Sequence, residues 1–107
     1  MSNTKTVNAY FDAMRRRDAE ANRALFTDDA ELINWLGTFT GVEEIVAFYR
    51  DQVFSVDDFW PEPGPLIAND HLVAVELRVR VSGAWTDVAD FFTVRDGKIA
   101  RLVMYHR

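Results

Sequence analysis

The feature of this sequence that most restricts its fold is a series of three strand-like segments near its C-terminus. Residues 71–81 alternate apolar and polar side chains, which is the period of a β-strand, and segments 84–94 and 98–106 follow directly. A Ser-Gly pair and an Asp-Gly pair separate the three segments, and such pairs form two-residue hairpin turns. Because hairpin-connected strands run antiparallel, the sequence predicts an antiparallel meander and excludes a purely parallel sheet.

Three helices are predicted in the first half of the chain. The first spans residues 4–17, and an apolar stripe along it holds Val7, Tyr10, Phe11 and Met14. Asp18 can cap a short second helix over 19–26. Thr40, followed three residues later by Glu43, has the spacing of a capping box and starts the third helix. The buried side of the third helix would carry Val42, Ile45, Phe48 and Tyr49.

Helices followed by a meander, with one helix inserted after the first strand, indicate an α+β fold. That first strand covers residues 30–36, and a proline-interrupted stretch over 55–68 suits an edge of the sheet. Residues 1–107 are predicted to form one domain, since single domains commonly reach about 100 residues. A single sheet curved around a helix would leave a pocket between its concave face and the helices.

The charge balance bears on the partners of the chain, and its lack of cysteine bears on its compartment. Seventeen acidic against twelve basic residues give a net charge of −5, which argues against nucleic acid and anionic membranes. The one basic cluster, residues 15–17, ends the first helix, where cations favour the negative end of the helix dipole. The absence of cysteine fits a reducing compartment, and with no long apolar run we expect a cytoplasmic protein.

Asp90 is the unusual residue of this sequence. Strand alternation puts its carboxyl on the same face as Val88, Phe92 and Val94. Burial of a carboxylate is costly unless it is paired or protonated, so we expect Asp90 to have a raised pKa. Asn34 interrupts an apolar face of the first strand in the same way. Both side chains would point into the pocket if both faces belong to the concave side of the sheet.

The chain resembles the nuclear-transport-factor-2-like superfamily over nearly its whole length. Tyr10 stands eight residues before Asp18, and "ALFTDDAELIN", "TGVEEIVAFY" and "DVADFFTVRDGKIARLVMY" follow in order. The groups it resembles most are SnoaL-like polyketide cyclases and ketosteroid isomerases. The resemblance implies a cone-shaped, strongly curved antiparallel sheet wrapped around the long N-terminal helix, with two further short helices.

The same resemblance suggests roles for three residues. Tyr10 and Asp90 match the tyrosine and the protonated acid that form the oxyanion hole of ketosteroid isomerases. Asn34 stands where those enzymes carry a base, and an amide cannot accept a proton near neutral pH. SnoaL-type cyclases use the strand acid, here Asp90, as the acid/base. A third group, the limonene epoxide hydrolases, has an asparagine that resembles Asn34. The positions of its acid–arginine–acid arrangement hold Val73, Val75 and Met104.

Each of these residues also has a structural interpretation. Asp90 could be paired with Arg78 or Arg80, although strand alternation puts both arginines on the opposite face. Tyr10 could be a core tyrosine whose hydroxyl is satisfied within the protein. Asn34 could hydrogen-bond a neighbouring backbone group.

The sequence and the resemblance favour a cofactor-free, SnoaL-like protein with a small-molecule pocket. Its candidate reaction is proton transfer on a hydrophobic, carbonyl-bearing substrate, as in an isomerisation, cyclisation or dehydration, and whether the chain is an enzyme is left open. Asp90 would be the acid/base, with Tyr10 and Asn34 stabilising an oxygen. Substrate contacts are predicted for Trp35, Val73, Val75, Leu77, Phe92, Met104 and His106. A non-catalytic binding or dimerisation module of the same fold is the alternative.

The sequence also predicts how the chain associates and what it does not bind. The resemblance implies a homodimer through the outer sheet face, and Glu76, Arg78 and Arg80 on that face could pair across a two-fold axis. No metal is expected, because His71 and His106 lie far apart and no carboxylate stands at ligand spacing. Ketosteroid isomerase activity should be weak, because Asn34 occupies the base position.

Overall fold

The computed structural model describes residues 2–107, which form three α-helices, a π-helical turn and seven strands. The helices are α1 (Asn3–Arg16), α2 (Ala19–Arg23) and α3 (Val42–Phe48), and the π-helical turn Tyr49–Val53 continues α3. The strands are β1 (Phe26–Asn34), β2 (Gly37–Thr40), β3 (Trp60–Pro63), β4 (Ile67–Ala68), β5 (Leu72–Val81), β6 (Ala84–Arg95) and β7 (Lys98–His106).

All seven strands belong to one curled, unclosed sheet beside the N-terminal helix, which confirms the predicted α+β class. The strand order is β2-β1-β7-β6-β5-β3, and the short β4 also pairs with β5. The described pairs are antiparallel except β1 with β7, which is parallel. A hairpin turn predicts only that two consecutive strands are antiparallel. The turns therefore could not predict the parallel pairing of β1 with β7, which joins strands far apart in the sequence.

The predicted inner face of β6 is confirmed by its burial. Val88, Asp90, Phe92 and Val94 are all buried, and the residues between them are exposed or half-buried. The apolar stripe of α1 is buried as predicted and packs in the same core. The long N-terminal helix therefore covers the concave face of the sheet, as the resemblance implies.

The junction between β2 and α3 differs from the prediction. Thr40 is not a helix cap, because it ends β2 and pairs with Glu31 of β1. Gly41 occupies the N-cap with φ 87°, and no side chain caps α3. Asp18 does cap α2 as predicted, since its Oδ1 accepts a hydrogen bond from the Ala21 amide. The capping-box prediction is wrong because Thr40, which would have to be the N-cap, is instead paired in the β1–β2 hairpin.

Candidate active-site cavity

A cavity of about 320 Å³ lies between α1, the inner face of the sheet and the segment from Phe48 to Phe59. Its wall is mostly apolar, and the polar side chains on it are Tyr10, Asn34, Tyr49, Gln52, Thr86 and Asp90. No lysine, arginine or histidine from the described part of the chain lines it. Any charge inside this cavity must therefore be balanced by a ligand or removed by protonation.

Asp90 is the one carboxyl that lines the cavity within residues 2–107. It is 2% exposed, and the strand register sets it between Val75 of β5 and Met104 of β7. Its Oδ1 atom has no hydrogen-bond partner within the described residues. Burial raises the pKa of Asp90 to about 7, in the direction that the sequence predicted.

The structural alternative for Asp90, an ion pair with an arginine, is wrong. Arg78 pairs with Glu62, with 2.9 Å between Nη2 and Oε1, and Arg80 lies 3.9 Å from an oxygen of Asp58. Both arginines are on the outer face of the sheet, as strand alternation predicted. Among residues 2–107, the carboxyl of Asp90 therefore has no cation to hold it in the ionised form.

Tyr10 forms a buried hydroxyl pair with Tyr49. The two hydroxyl oxygens are 2.6 Å apart, and both side chains line the cavity. Burial raises the pKa of both tyrosines, and the charge of nearby Asp90 raises them further. Both hydroxyls are therefore protonated at neutral pH. Because one hydroxyl accepts from the other, the accepting hydroxyl keeps its own proton for another partner.

Sequence reasoning placed Tyr49 in the core and missed it as the partner of Tyr10. The apolar pattern of the third predicted helix indicated that Tyr49 faces inward, and Tyr49 is buried. No local pattern relates hydroxyls 39 residues apart. The pairing depends on where α3 and its π-helical continuation cross α1, and this is a property of the tertiary fold.

Asn34 lies at the end of β1 on the inner face, two strands from Asp90. In the β1–β7 register Leu32 is opposite Leu102, so Asn34 comes level with Met104, which pairs with Asp90. Two strand spacings separate the two backbones by about 10 Å. The Asn34 Oδ1 accepts a hydrogen bond of 2.8 Å from the Leu36 amide. Its oxygen thus has the backbone role that the structural interpretation assigned, while the side chain still lines the cavity.

The seven predicted substrate contacts divide into two groups. Trp35, Leu77 and Met104 line the cavity. The other four do not, namely Val73, Val75, Phe92 and His106. Three of these are correctly placed on the inner face but fill the core. Phe92, for example, packs against Tyr10 with 5.2 Å between ring centroids. His106 is exposed at the end of β7, where its ring packs against the Trp35 ring with 4.4 Å between the ring centroids.

Two further observations concern ligands and membranes. Within residues 2–107, no group of three histidine, cysteine, aspartate or glutamate side chains has the geometry to hold a metal ion. No helix in this part of the chain is long and apolar enough to cross a bilayer.

A long helix against a curled, open sheet, with a buried acid facing a mostly apolar cavity, defines the class of α+β cone folds. The model of the SnoaL-like domain matches residues 7–102, and the chain belongs to this family. No protein with curated annotation matches the chain in sequence.

Solved structures support the same fold. A Sinorhizobium meliloti protein named as a polyketide cyclase is 27% identical, with a TM-score of 0.85 over 94% of this chain and 93% of its own. A Kribbella flavida protein named as a ketosteroid isomerase is 20% identical, with a TM-score of 0.87 over 96% and 76% of the two chains. TerC, co-crystallised with polyporic acid, is 24% identical, with a TM-score of 0.84 over 98% and 91%. The last two similarities concern the fold alone.

Proposed function

We propose that this protein binds a neutral, hydrophobic small molecule bearing a carbonyl oxygen and transfers a proton on it, with Asp90 as the acid/base. The observation that carries the proposal is the buried Asp90 carboxyl on a mostly apolar cavity wall. In the described part of the chain it has no cation beside it, and one of its oxygens has no hydrogen-bond partner. A buried carboxyl with an unpartnered oxygen does not stabilise the fold. A ligand in the cavity could supply the missing hydrogen bond.

The chemistry follows from the two protonation states of Asp90. The neutral carboxyl donates a hydrogen bond to a carbonyl oxygen, whereas the carboxylate takes a proton from the carbon next to that carbonyl. A pKa of about 7 keeps both states populated near neutral pH. Within the Tyr10–Tyr49 pair, the hydroxyl that accepts the internal hydrogen bond has its own proton free, and it is the proposed donor to the oxygen on which negative charge develops.

A single carboxyl favours reactions in which one group removes and returns the proton. Isomerisation, cyclisation and dehydration next to a carbonyl all meet this condition. The similarity to the polyketide cyclase of Sinorhizobium meliloti supports this range of reactions. The ketosteroid isomerase mechanism is disfavoured because Asn34 occupies the base position.

A non-catalytic binding protein is the second candidate, and two observations favour it. The Asn34 oxygen is engaged by the Leu36 amide, and the Tyr10 hydroxyl is engaged by Tyr49. The tyrosine pair therefore has one hydroxyl proton left for a ligand, and Asn34 has only its Nδ2 amide, which can donate a hydrogen bond but cannot remove a proton. Such a protein would bind the same class of molecule without moving a proton.

Deuterium exchange into 2-acetylnaphthalene separates these candidates. This neutral ketone carries exchangeable protons only on the methyl group beside its carbonyl, and NMR in heavy water follows both its binding and its exchange. We expect the wild type to accelerate exchange and Asp90→Asn to abolish the acceleration. Asp87→Asn is the matched control, since Asp87 is an exposed acid of the same strand. Binding without exchange would establish the binding protein, and the absence of both would reject the two candidates.

We also propose that two copies associate through the outer face of the sheet. Phe91 and Tyr105 lie side by side there, with ring centroids 5.9 Å apart, and are 46% and 61% exposed. Glu76 is exposed on the same face. Arg78 and Arg80 are engaged within the protomer by Glu62 and by the ring of Trp85, so the apolar pair is the proposed centre of the contact.

A further inference from the structure

Arg17, the C-cap residue directly after α1, binds the backbone of a distant loop. Its backbone is left-handed at φ 55°. Its Nη1 donates to the carbonyl oxygens of Phe54 and Val56 at 2.9 and 2.7 Å. Its Nη2 donates to those of Asp57 and Phe59 at 2.8 and 3.2 Å. Four carbonyls of one short loop are thus satisfied by a single guanidinium, which forms no ion pair within the described residues.

The same loop is attached on its other side to the β5–β6 hairpin. The carboxylate of Asp58 accepts hydrogen bonds of 2.7 Å from both turn amides, Ser82 and Gly83. These bonds hold the pKa of Asp58 below its ordinary value. Arg80 of β5 donates from Nε to the Asp58 carbonyl at 3.2 Å. The loop over residues 54–59 therefore connects the end of α1 to the hairpin.

This connection bears on the cavity because the loop forms part of its wall. Val56 and Phe59 line the cavity with their side chains, while their carbonyls bind Arg17. Within the loop, hydrogen bonds between backbone groups are few, and they include Val56 amide to Val53 carbonyl and Phe59 amide to Val56 carbonyl. The position of this wall consequently depends on the side chains that brace it.

We propose that Arg17 sets the size of ligand that the cavity admits, by holding the loop 54–59 against it. This inference rests on the proposed function only in taking the cavity to be a binding site for neutral hydrophobic molecules. Arg17 touches no reacting atom in this account and acts as a positioning residue. A lysine has three donors on one nitrogen and cannot reproduce the planar fork of a guanidinium, so it would restore the brace in part.

Two neutral phenols with the same hydroxyl and different ring systems test the proposal. Titrations with 2-naphthol (two rings) and 1-hydroxypyrene (four rings) give the ratio of their dissociation constants. In Arg17→Ala we expect the preference to shift towards 1-hydroxypyrene by about tenfold, which is about 1.4 kcal/mol, with a smaller shift in Arg17→Lys. Arg16→Ala is the matched control, because Arg16 sits at the same helix end and, among the described residues, forms ion pairs with Asp12 and Asp18 and none with the loop. An unchanged ratio in Arg17→Ala overturns the proposal.

Amide hydrogen exchange separates a failure of this inference from a failure of the proposed function. If the wild type binds neither phenol, the premise that the cavity accepts neutral hydrophobic molecules fails, and amide exchange alone decides on the brace. Faster exchange at Val56, Phe59, Ser82 and Gly83 in Arg17→Ala, with unchanged protection at Phe92, supports the brace. Unchanged exchange at the first four residues overturns it, and Arg17→Lys gives the same comparison if the alanine variant does not fold.

Discussion

The carboxyl of Asp90 links the stability of the protein to pH, because burial raises its pKa from 3.8 to about 7. The folded protein holds this proton up to about pH 7, whereas the unfolded chain releases it near pH 4. Between those values the unfolded state binds fewer protons, so the free energy of unfolding falls as pH rises. The loss attributable to Asp90 reaches about 4 kcal/mol above pH 7, at roughly 1.4 kcal/mol per pKa unit.

Asp90→Asn removes this penalty and should therefore stabilise the protein at and above pH 7. Urea unfolding of both proteins at several pH values between 4 and 8 measures the difference. We expect the two stabilities to diverge as pH rises from 4 to 7, with the variant ahead by about 1–4 kcal/mol at pH 8. A difference that is independent of pH, or a variant that is less stable at pH 8, would contradict the raised pKa.

Asn34 permits a test of how much a missing base matters. Asn34→Asp keeps a side-chain oxygen that can accept from the Leu36 amide, so the turn should persist. We expect the wild type to convert a 3-oxo-Δ5-steroid at close to the background rate. The variant should be at least about tenfold faster, as part of the 10²–10⁴ that a positioned general base supplies.

The matched control for this variant is Asn69→Asp. The Asn69 oxygen accepts from the amides of His71 and Leu72 in an exposed turn, a backbone role similar to that of Asn34. The control should show no gain in isomerisation. Wild-type turnover far above background would mean that a residue other than Asn34 acts as the base.

At the scale of elements, local periodicity predicted the three C-terminal strands and the buried faces of β5 and β6, but it missed β2 and placed the first strand at 30–36 instead of Phe26–Asn34. It did not predict which residues on those faces meet the cavity. Val73 and Phe92 pair with each other beneath α1, whereas Leu77 and Met104 are farther along their strands and open onto the cavity. Alternation determines the face of the sheet, while depth along the strand depends on where the helix crosses it.

Long-range contacts were the other part that the sequence could not predict. The basic cluster at residues 15–17 suggested only a favourable interaction with the helix dipole. The structure instead directs Arg17 to four backbone carbonyls that lie about forty positions away. Every residue has a backbone carbonyl, whatever its side chain. The residue types at positions 54–59 therefore could not indicate that four of their carbonyls accept hydrogen bonds from Arg17.

The β2–α3 junction gives a prediction at this scale. Gly41 has φ 87° and ψ 149°, a conformation that residues with a Cβ rarely adopt, and its amide donates to the Ala30 carbonyl. A Cβ there would lie 3.8 Å from the nearest atom, so the cost of Gly41→Ala comes from the backbone and not from crowding. We expect a loss of about 1–3 kcal/mol in the free energy of unfolding.

Thr40→Ala provides the contrast, because Thr40 is exposed and caps no helix. Its effect on the free energy of unfolding should stay within about 0.5 kcal/mol. A loss near the ~1 kcal/mol that is typical of a lost N-cap would restore the capping-box interpretation. Chemical denaturation of the wild type and both variants makes the comparison.

At the scale of the whole molecule, α1 is attached to the sheet at both of its ends. Near its N-terminus the Thr6 hydroxyl donates to the Gly97 carbonyl in the β6–β7 turn at 2.9 Å. At its C-terminus Arg17 holds the loop 54–59, which in turn holds the β5–β6 turn. The core fills the space between helix and sheet near Phe92, and the cavity takes the remainder on the side of Arg17. The helix therefore forms part of both the core and the cavity wall.

The proposed dimer can be tested at Phe91 on the outer face. A charged side chain in the centre of an apolar interface is left unpaired on association, so Phe91→Arg should convert a dimer to a monomer. We expect light scattering to give the mass of two chains for the wild type at micromolar concentration and that of one chain for the variant.

Leu36→Arg is the control for this experiment, because Leu36 is 60% exposed but lines the cavity rather than the outer face. This variant should remain a dimer, because its new charge lies away from the proposed contact. A wild type that scatters as a monomer would reject the association. A dimer that survives Phe91→Arg but not Leu36→Arg would instead place the contact beside the cavity, where the partner chain would cover Trp35 and Leu36. In that arrangement the partner chain would control ligand access to the cavity. The masses of the two variants therefore show both how the chains associate and whether the association covers the cavity.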